Sequence, residues 1–378
     1  MTLYLPQVGT PLEELDTPSL ILELDAFERN LQRLKDSLAG RKVALRPHAK
    51  SHKCPQIALK QIALGAVGVC CQKVSEAEAM VQGGVTDVLI ANEVVGAPKV
   101  KRAAALARQT HVAVCADNAG NVAALDGAAR EFGVCLDVLV EVNVGANRCG
   151  LEPGAPAVML AKQIAGCANL RFAGLQAYQG AAQHVRKVEE RRAAIEAAVA
   201  KIKATTALLA EAGIPCDKVT GAGTGTYQFE AASGVYHEIQ PGSYIFMDAD
   251  YARNQNPDGS RFDMFEHALF VLATVMSAPV PDRAVIDAGH KALSNDSGFP
   301  EVPGLPGAKY HRPSDEHGIL DLAGCERRLR LGEKLLLIPG HCDPTVNLHD
   351  WYVGVRGLHT PDAQVADVWP VAARGAIF

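Results

Sequence analysis

A lysine just past the end of a short apolar stretch could serve as a covalent anchor for a carbonyl group. Lys50 follows Val43–Leu45, which has the β-branched and aliphatic character of a buried strand. Pro47 lacks a backbone N–H, so the chain should leave the sheet there and place Lys50 at the carboxyl end of the strand. Neighbouring cations such as Arg46 and His48 disfavour a further positive charge, which predicts a lowered pKa and a nucleophilic amine for Lys50. A solvated lysine that covers the strand end is the alternative.

Two glycine-rich segments could bind an anion. Residues 220–226 read Thr-Gly-Ala-Gly-Thr-Gly-Thr and residues 240–244 read Gln-Pro-Gly-Ser-Tyr, and each segment follows an apolar stretch. Glycine lets successive N–H groups converge on a phosphate, and hydroxyl groups add hydrogen bonds. A tight turn between a strand and a helix is the alternative for either segment alone. Opposite a candidate lysine, the two segments together predict pyridoxal phosphate, whose binding needs a Schiff-base lysine and a phosphate site.

Three further side chains are expected at the same place. Arg148 follows the strand-like stretch Asp137–Asn143, and its guanidinium could hold the phenolic oxygen of that cofactor, with a surface arginine as the alternative. Tyr178 and His184 follow the next such stretch, Arg171–Ala177. A single histidine is more often structural than catalytic, so His184 is a candidate catalytic residue only because its neighbours are already implicated.

A histidine and an aspartate near the end of the chain could bind a metal ion. If the segment around His341 and Asp343 is extended, both side chains point to one side and Cys342 points to the other, since side chains alternate along a strand. One imidazole and one carboxylate form a partial site that suits Mn²⁺, Mg²⁺ or Co²⁺ completed by water, rather than the thiolate-rich set of structural zinc. A His–Asp hydrogen bond at a turn is the alternative.

Alternating apolar strands and alanine-rich amphipathic stretches must position these residues. After a first strand at 19–25 and a helix at 26–39, eight strand-like stretches follow: Val43–Leu45, Val67–Cys71, Asp87–Ala91, His111–Ala116, Asp137–Asn143, Arg171–Ala177, Lys218–Gly221 and Glu238–Phe246. One helix between successive strands indicates βα units and a parallel sheet, and eight such units suit a closed (β/α)₈ barrel. A doubly wound open sheet is the alternative. We expect the barrel to occupy residues 18–262.

The pattern changes near Phe262 to short Val- and Leu-rich runs broken by proline and glycine. These runs are Ala268–Met276, Arg283–Ala288, Lys334–Ile338, Trp351–Val355 and Val365–Val371. Helical periodicity disappears, which predicts a smaller antiparallel β domain. We expect this domain to cover residues 263–378, to include the leader 1–17, and to carry the metal motif.

Charge and composition exclude several classes of function. The 37 basic and 42 acidic residues give a net charge of −5 without a block of like charges, so a nucleic-acid or membrane-surface role has no electrostatic support. Ten cysteines are scattered without a Cys-x-x-Cys pair, which indicates reduced thiols in the core. The N-terminal sequence has no signal-peptide pattern, and no apolar run approaches roughly 18 residues. We expect a cytoplasmic protein that acts on a small molecule.

With these residues assembled, nearly the whole chain resembles the metal-activated D-threonine aldolase and 3-hydroxy-D-aspartate aldolase group. This group belongs to the fold-type III, alanine-racemase-like pyridoxal phosphate enzymes, together with the eukaryotic-type D-serine dehydratases. The motifs that carry the resemblance are Arg46–Lys50, Cys70–Glu76, Gly145–Gly150, Ala177–Gly180, Gly223–Gly225, Gly242–Tyr244, Phe246–Asp250, Ser314–His317 and His341–Thr345.

The resemblance implies a barrel of alanine-racemase type followed by a β domain. It implies pyridoxal phosphate on Lys50 and a divalent metal on His341 and Asp343. It also implies phosphate contacts from two loops, formed by Gly223, Thr224 and Gly225 and by Gly242, Ser243 and Tyr244. The expected reaction cleaves the Cα–Cβ bond of a D-3-hydroxy amino acid to glycine and an aldehyde, with His184 as general base. We expect the enzyme to be a homodimer.

Other activities compatible with the same cofactor remain open. A D-serine or D-3-hydroxyaspartate dehydratase would release ammonia and a 2-oxo acid. In the dehydratase branch of the family that this chain resembles, the metal pair has the pattern His-x-Cys, whereas Asp343 occupies the second position here. A non-catalytic cofactor carrier would lack the β domain, and a racemase would need a second base that the sequence does not reveal. D-threonine and 3-hydroxy-D-aspartate are both candidate substrates.

Overall fold

The computed structural model describes residues 5–378, so the first four residues of the predicted leader lie outside the described part of the chain. The strands are β1 (Ser19–Glu23), β2 (Ala44–Leu45), β3 (Val69–Cys71), β4 (Asp87–Glu93), β5 (His111–Ala116), β6 (Leu136–Glu141), β7 (Leu170–Ala177), β8 (Val219–Gly221), β9 (Glu238–Ile239), β10 (Leu269–Val280), β11 (Arg283–Ile286), β12 (Lys309–Pro313), β13 (Gly318–Asp321), β14 (Lys334–Leu337), β15 (Trp351–Arg356) and β16 (Gln364–Pro370). The α-helices are α1 (Leu24–Ser37), α2 (Pro55–Ala63), α3 (Val74–Gln82), α4 (Ala97–Leu106), α5 (Ala119–Phe132), α6 (Ala155–Ala165), α7 (Val188–Glu211), α8 (Tyr227–Ala232), α9 (Ala249–Ala252) and α10 (Cys342–Val346).

Strands β2 to β9 form a parallel barrel of eight strands. Their order is β2-β9-β8-β7-β6-β5-β4-β3, and every neighbouring pair that runs through the sheet is parallel. The two end strands meet, because Val67 N–H donates to Leu45 O at 2.9 Å and Cys70 N–H donates to Pro47 O at 2.8 Å. The predicted (β/α)₈ barrel is therefore confirmed, and the carboxyl ends of its strands share one mouth.

Helices α2 to α7 pack around the barrel because each buries apolar side chains against its strands. The largest core cluster joins these side chains to the outward side chains of the strands, for example Val122 and Leu125 of α5 against Val114 and Val138. A second set, which includes Leu89, fills the barrel interior. The alternation of strands and amphipathic helices predicts both clusters, one between the helices and the strands and one inside the barrel.

The second sheet contains strands from both ends of the chain. Its order is β12-β13-β11-β10-β1-β15-β16, and β14 also pairs with β10. Strand β1 lies within the predicted barrel range 18–262, but it pairs antiparallel with β10 and parallel with β15 of the second sheet. A short apolar strand is compatible with either sheet, because its pattern reports burial and not the identity of its neighbours. The second sheet is thus mostly antiparallel, with one parallel pair.

Three strands differ from the predicted pattern. Strands β12 and β13 were not predicted, because β12 is largely polar and β13 is only four residues long. The predicted eighth barrel strand, 238–246, is also shorter than expected. It ends at Ile239, and residues Ser243–Ile245 form a 3₁₀ helix. Pro241 has no N–H for the sheet, so the chain turns away and places Ser243 at the barrel mouth.

All ten cysteines lie within residues 5–378 and are free thiols, but only five of them are buried, so the prediction of core thiols holds for half of the set. No helix in the described part of the chain is long and apolar enough to cross a membrane.

Candidate active site

One cavity at the barrel mouth brings together most of the residues that the sequence singled out. Its volume is about 120 Å³. The predicted residues that line it are Lys50, Arg148, Tyr178, Gly223, Thr224, Gly242 and Ser243. These side chains come from the ends of different strands, which is how a barrel assembles a site at the carboxyl face of its strands.

Lys50 reaches from the barrel to the second domain. It lies in a 3₁₀ turn, Ala49–Ser51, just past β2, and its Nζ forms an ion pair with Asp343 Oδ2. Burial by itself lowers the pKa of Lys50, but the negative charge of Asp343 outweighs this effect and raises the pKa above its ordinary value. The predicted lowering of the Lys50 pKa is therefore wrong for this arrangement of side chains.

The neighbouring cations do not act on Lys50 as the sequence suggested. Arg46 turns into the barrel, where its Nη1 lies 2.6 Å from Asp87 Oδ1 and its Nε lies 2.9 Å from Glu238 Oε1. Burial holds the pKa of His48 well below its usual value, so its imidazole is neutral at physiological pH. Neither group therefore supplies the free positive charge that the prediction required.

The second domain also holds the loop that carries Lys50. Tyr352 Oη donates to His52 O at 2.7 Å, and Ala373 N–H donates to Lys53 O at 3.0 Å. Lys53 adopts a left-handed backbone with φ 51°, which an L-residue occupies only when its surroundings stabilise it. These contacts fix the direction of the loop at the point where Lys50 enters the cavity.

The loop after β8 has the features of a phosphate site. Thr224 is only 1% exposed, and its Oγ1 is buried without a hydrogen-bond partner among residues 5–378. The N–H groups of Gly223 and Thr224 likewise donate to no acceptor in this part of the chain. Unsatisfied buried donors are costly, so their convergence on a cavity indicates that a ligand completes them.

The loop after β9 approaches the same cavity closely. A Cβ on Gly242 would lie 3.0 Å from His48 O and 3.1 Å from Ser51 Oγ, so the position has little room for a side chain. Ser243 lines the cavity beside it. The two loops together fit a phosphate group bound by backbone N–H groups and hydroxyls.

Two of the predicted phosphate contacts, Gly225 and Tyr244, do not line the cavity. Gly225 N–H already donates to Gln183 Oε1 at 3.0 Å. The Tyr244 ring is 1% exposed within the apolar core, where its hydroxyl accepts from Gln61 Nε2 at 3.1 Å. Tyr244 could therefore contribute only its N–H group, because the 3₁₀ turn directs its ring away from the barrel mouth.

His184 lies behind the cavity lining and is oriented by a carboxylate. It ends the 3₁₀ turn Gly180–His184, and its Nδ1 lies 2.5 Å from Asp250 Oδ2. Burial raises the pKa of Asp250, but hydrogen bonds from His184 and Arg186 outweigh it and lower the pKa to about 2. An ionised Asp250 accepts the Nδ1–H of His184, which leaves Nε2 as a proton acceptor. The His184 ring also packs 4.9 Å from that of Tyr251, which lines the cavity.

The candidate metal motif is helical rather than extended. His341 precedes α10 and Asp343 lies in its first turn, so the strand-like alternation assumed in the sequence analysis does not apply. His341 Nδ1 lies 2.7 Å from Asp296 Oδ2, which leaves Nε2 for a ligand. The part of the chain from residue 5 to 378 contains no group of three or more metal-binding side chains. The donor set of one imidazole and one carboxylate fits a divalent ion whose other ligands are water or substrate.

Four polar residues of the site, two in the cavity lining and two behind the histidines, have no recognisable signal of their own in the sequence. Gln176 and Gln240 exchange amide hydrogen bonds of 3.2 and 2.9 Å across the cavity floor. Asp250, which orients His184, lies 66 positions after it in the chain. Asp296, which orients His341, lies 45 positions before it. Of these two aspartates, only Asp250 lies in a motif that carries the family resemblance, Phe246–Asp250.

Two family models match the chain. The alanine racemase N-terminal domain matches residues 22–250, and the serine dehydratase domain matches residues 268–355. The first match covers the barrel and the second covers most of the β domain.

Proteins of known activity are similar over nearly the whole length. The chain is 50% identical to a D-threonine aldolase of Arthrobacter sp over 370 residues, which is 98% of this chain and 95% of the relative. It is 47% identical to a 3-hydroxy-D-aspartate aldolase of Paracoccus denitrificans strain Pd 1222 over 371 residues, 97% of this chain and 94% of the relative. The crystal structure of D-threonine aldolase from Filomicrobium marinum superposes with a TM-score of 0.94 at 53% identity, covering 98% of this chain and 99% of that one.

Proposed function

Because the chain belongs to the D-threonine aldolase and 3-hydroxy-D-aspartate aldolase group of alanine-racemase-like pyridoxal phosphate enzymes, a group of carbon–carbon lyases, we propose that it cleaves D-3-hydroxy amino acids to glycine and an aldehyde with a divalent metal. The observation that carries the proposal is the contact between Lys50 of the barrel and Asp343 of the β domain. It joins the candidate cofactor lysine and the candidate metal motif in one site.

The residues of the cavity suit pyridoxal phosphate. Lys50 would hold its aldehyde carbon, and the N–H groups of Gly223 and Ser243 with the hydroxyl of Thr224 would hold its phosphate. Arg148, whose guanidinium lies 5.6 Å from the centre of the Tyr178 ring, is the candidate partner of the phenolic oxygen. When bound, this cofactor supplies an electron sink for the bond that breaks at Cα.

His341 and Asp343 are the candidate metal ligands. The ion pair of Asp343 with Lys50 supports this role, because the carboxylate already stabilises a positive charge at that position. When bound, Mn²⁺, Mg²⁺ or Co²⁺ would lower the pKa of a substrate hydroxyl. Asp296 would keep the imidazole of His341 in the tautomer whose Nε2 faces a ligand.

The protein residues have separable roles in the proposed reaction. His184 Nε2 accepts the proton of the substrate hydroxyl, directly or through a water molecule, while Asp250 stabilises the resulting imidazolium. Loss of that proton forms the carbonyl as the Cα–Cβ bond breaks, and protonation at Cα gives glycine. The phosphate loops and Arg148 orient the cofactor on the barrel side, so the β-hydroxyl must approach from the side of His341.

A substrate panel tests the proposal. The purified protein, supplied with pyridoxal phosphate and Mn²⁺, should release glycine from D-threonine, D-allothreonine, D-phenylserine or 3-hydroxy-D-aspartate. L-threonine should not react, because the loops and the metal pair allow only one presentation of the hydroxyl. Comparable turnover of L-threonine would contradict this geometry.

A dehydratase is the second candidate function, favoured by the match of residues 268–355 to the serine dehydratase domain. It would release ammonia and a 2-oxo acid from the same substrates, with the hydroxyl as leaving group. The products distinguish the two reactions in the same substrate panel. The aldolase releases glycine and an aldehyde, whereas the dehydratase releases ammonia and a 2-oxo acid. We also propose a cytoplasmic location and a homodimeric state, and sedimentation of the purified protein would test the homodimer.

Replacing His184 with alanine should lower kcat by about 10² to 10⁴, the usual contribution of a general base. Asp250→Asn should reduce kcat less, because the imidazole remains but its orientation and charge stabilisation are lost. Cofactor affinity should be nearly unchanged in both variants, since neither residue contacts the phosphate loops. His237→Ala is the matched control, because this histidine hydrogen-bonds the backbone of Val219 at 3.1 Å and lies outside the cavity lining. A His184→Ala variant with near-normal kcat would assign His184 a structural role.

Replacing Thr224 with valine, which keeps the shape but removes the hydroxyl, should weaken pyridoxal phosphate binding by roughly 10- to 100-fold, the contribution of a hydrogen bond to a charged group. The dissociation constant can be measured by spectroscopic titration of the cofactor-free protein. Thr206→Val, at a half-buried position of α7 outside the cavity lining, is the matched control. An unchanged dissociation constant for Thr224→Val would mean that another ligand or water satisfies this buried hydroxyl.

A further inference from the structure

Asp248 accepts hydrogen bonds from two segments that meet at the active site. It is 0% exposed and directly precedes α9. Its Oδ1 accepts the N–H of Tyr251 in α9, and its Oδ2 accepts the N–H of Cys342 in α10, each at 2.9 Å. One buried carboxylate therefore joins α9, which follows the last barrel strand, to α10, which contains part of the candidate metal motif.

The α9 side of this contact supports the candidate base. Asp250 of α9 is the ion-pair partner of His184, and the centre of the Tyr251 ring lies 4.9 Å from that of the imidazole. Helix α9 has only four residues, which is too short to be stable without bonds from outside the helix. The bond from Tyr251 N–H to Asp248 is one such bond, so it helps to place Asp250 against the imidazole.

The α10 side of the contact holds the candidate metal ligands. His341 and Asp343 flank Cys342 in the chain. The first N–H groups of a helix have no acceptor within that helix, and Cys342 is the first residue of α10. Asp248 supplies the acceptor from another segment. Because Cys342 lies between the two ligands, a displacement of its backbone would move both of them.

The backbone around this carboxylate is closely packed. Ala249 N–H donates to Pro339 O at 2.9 Å, and Asp250 N–H donates to Gly340 O at 3.2 Å. In addition, a Cβ on Gly340 would lie 1.9 Å from Gly298 O, so this approach of two backbone segments requires a glycine. The segment that leads into α10 is therefore confined by residues 248–250 and by residue 298.

We propose that Asp248 is a positioning residue that holds the candidate metal ligands and the candidate base in one arrangement. This inference rests on the proposed metal-dependent aldolase function. Two protein ligands bind an ion tightly only if they are already in place, because ordering a group at the moment of binding reduces the affinity. By bonding both helices, Asp248 keeps the two metal ligands at a fixed distance from His184.

The main test is Asp248→Ala, which removes the acceptor of both N–H groups. The affinity of the substrate-free holoenzyme for Mn²⁺, measured with the metal alone by electron paramagnetic resonance, should fall by roughly 10- to 100-fold, the usual effect of losing a contact that supports metal ligands. Excess Mn²⁺ should restore the occupancy of the metal site. The kcat for glycine release should nevertheless remain roughly 10- to 100-fold low, because the base is displaced as well.

Glu23→Ala is the matched control for this variant. Glu23 is 4% exposed, and its side chain also accepts two backbone N–H groups, those of Asp25 and Ala26 at the start of α1. It lies outside the cavity lining. This variant should lose stability as Asp248→Ala does, since two buried donors lose their acceptor, but its Mn²⁺ affinity and kcat should stay within about 3-fold of the wild type.

Cofactor binding separates a local role of Asp248 from a general loss of structure. Lys50 and the candidate phosphate loops follow barrel strands, so the dissociation constant for pyridoxal phosphate should change by less than about 3-fold in Asp248→Ala. Equal losses of cofactor affinity and metal affinity would indicate general destabilisation and would overturn the positioning role.

Two further measurements keep the test decisive if the alanine variant does not fold. Asp248→Asn has one acceptor oxygen, so it breaks one of the two bonds and should lower either the Mn²⁺ affinity or kcat at saturating Mn²⁺. A variant with both quantities unchanged would contradict the proposal. In the metal-free wild type, hydrogen exchange at Cys342 N–H should be slow, because Asp248 already holds this group, and fast exchange there would overturn the proposal.

The outcomes separate this inference from the function on which it rests. A wild-type protein that binds no Mn²⁺ or releases no glycine would overturn the proposed function. Mn²⁺ binding that Asp248→Ala leaves unchanged, or full recovery of its kcat with excess Mn²⁺, would overturn the role of Asp248 alone. A selective loss of Mn²⁺ affinity, with kcat low at saturating metal and cofactor binding retained, supports it.

Discussion

Replacing Lys50 with alanine is expected to abolish both the visible absorbance of the lysine-bound cofactor and all cleavage of substrate. Lys50 lines the cavity that also contains the unsatisfied hydroxyl of Thr224, so it is the amine placed to react with the cofactor aldehyde. Borohydride makes the lysine–cofactor bond permanent. Peptide mapping of the reduced wild-type protein should therefore find the cofactor on Lys50.

Lys73 provides a matched control for this experiment. It follows β3 at the same end of the barrel but does not line the cavity, so Lys73→Ala should keep the absorbance and the activity. A Lys50→Ala protein that still carries a reducible adduct on another lysine at one cofactor per chain would contradict the assignment.

Removing the metal is expected to abolish cleavage while the cofactor spectrum is retained. Two protein ligands leave several positions to water, so the ion should exchange readily and leave with a chelator while the fold survives. Mn²⁺, Co²⁺ or Mg²⁺ should each restore activity. His341→Ala and Asp343→Ala should behave like the chelated protein, because Lys50 and both candidate phosphate loops follow strands of the barrel.

Two milder substitutions make the metal prediction sharper. Asp296→Asn keeps both ligands and weakens only the orientation of His341, so metal affinity should fall by roughly 10- to 100-fold and excess metal should restore activity. Asp343→Cys should shift the preference toward zinc, because a thiolate is the softer ligand. Full activity after exhaustive chelation, with absence of metal shown by elemental analysis, would refute the metal role and leave a hydrogen-bonded pair at a turn.

Patterns that are local in the chain predicted the architecture. A barrel strand and its helix are neighbours in sequence, so alternation of the two periodicities was sufficient to predict eight βα units and their shared mouth. The position of Lys50 past β2, and of two glycine-rich loops past β8 and β9, follows from the same local order. The boundary of β9 failed because Pro241 ends pairing earlier than hydrophobicity alone suggests.

Contacts between distant segments could not be predicted in the same way. Strand β1 is apolar in either sheet, and only its pairing with β10 and β15 assigns it to the second one. The pKa of Lys50 depends on a carboxylate 293 positions further along the chain, whose charge outweighs the effect of burial. The orienting roles of Asp250 and Asp296 likewise depend on side chains from separate elements.

The sequence by itself determined the fold class, the candidate lysine, the glycine-rich loops and the His-x-Asp motif, because each of these depends on residue types within a few positions of one another. Only the tertiary structure decided which groups are charged and which hydroxyls and N–H groups lack partners. Those properties depend on distances of about 3 Å between residues that are tens to hundreds of positions apart, since hydrogen bonding and charge interaction fall off steeply with separation.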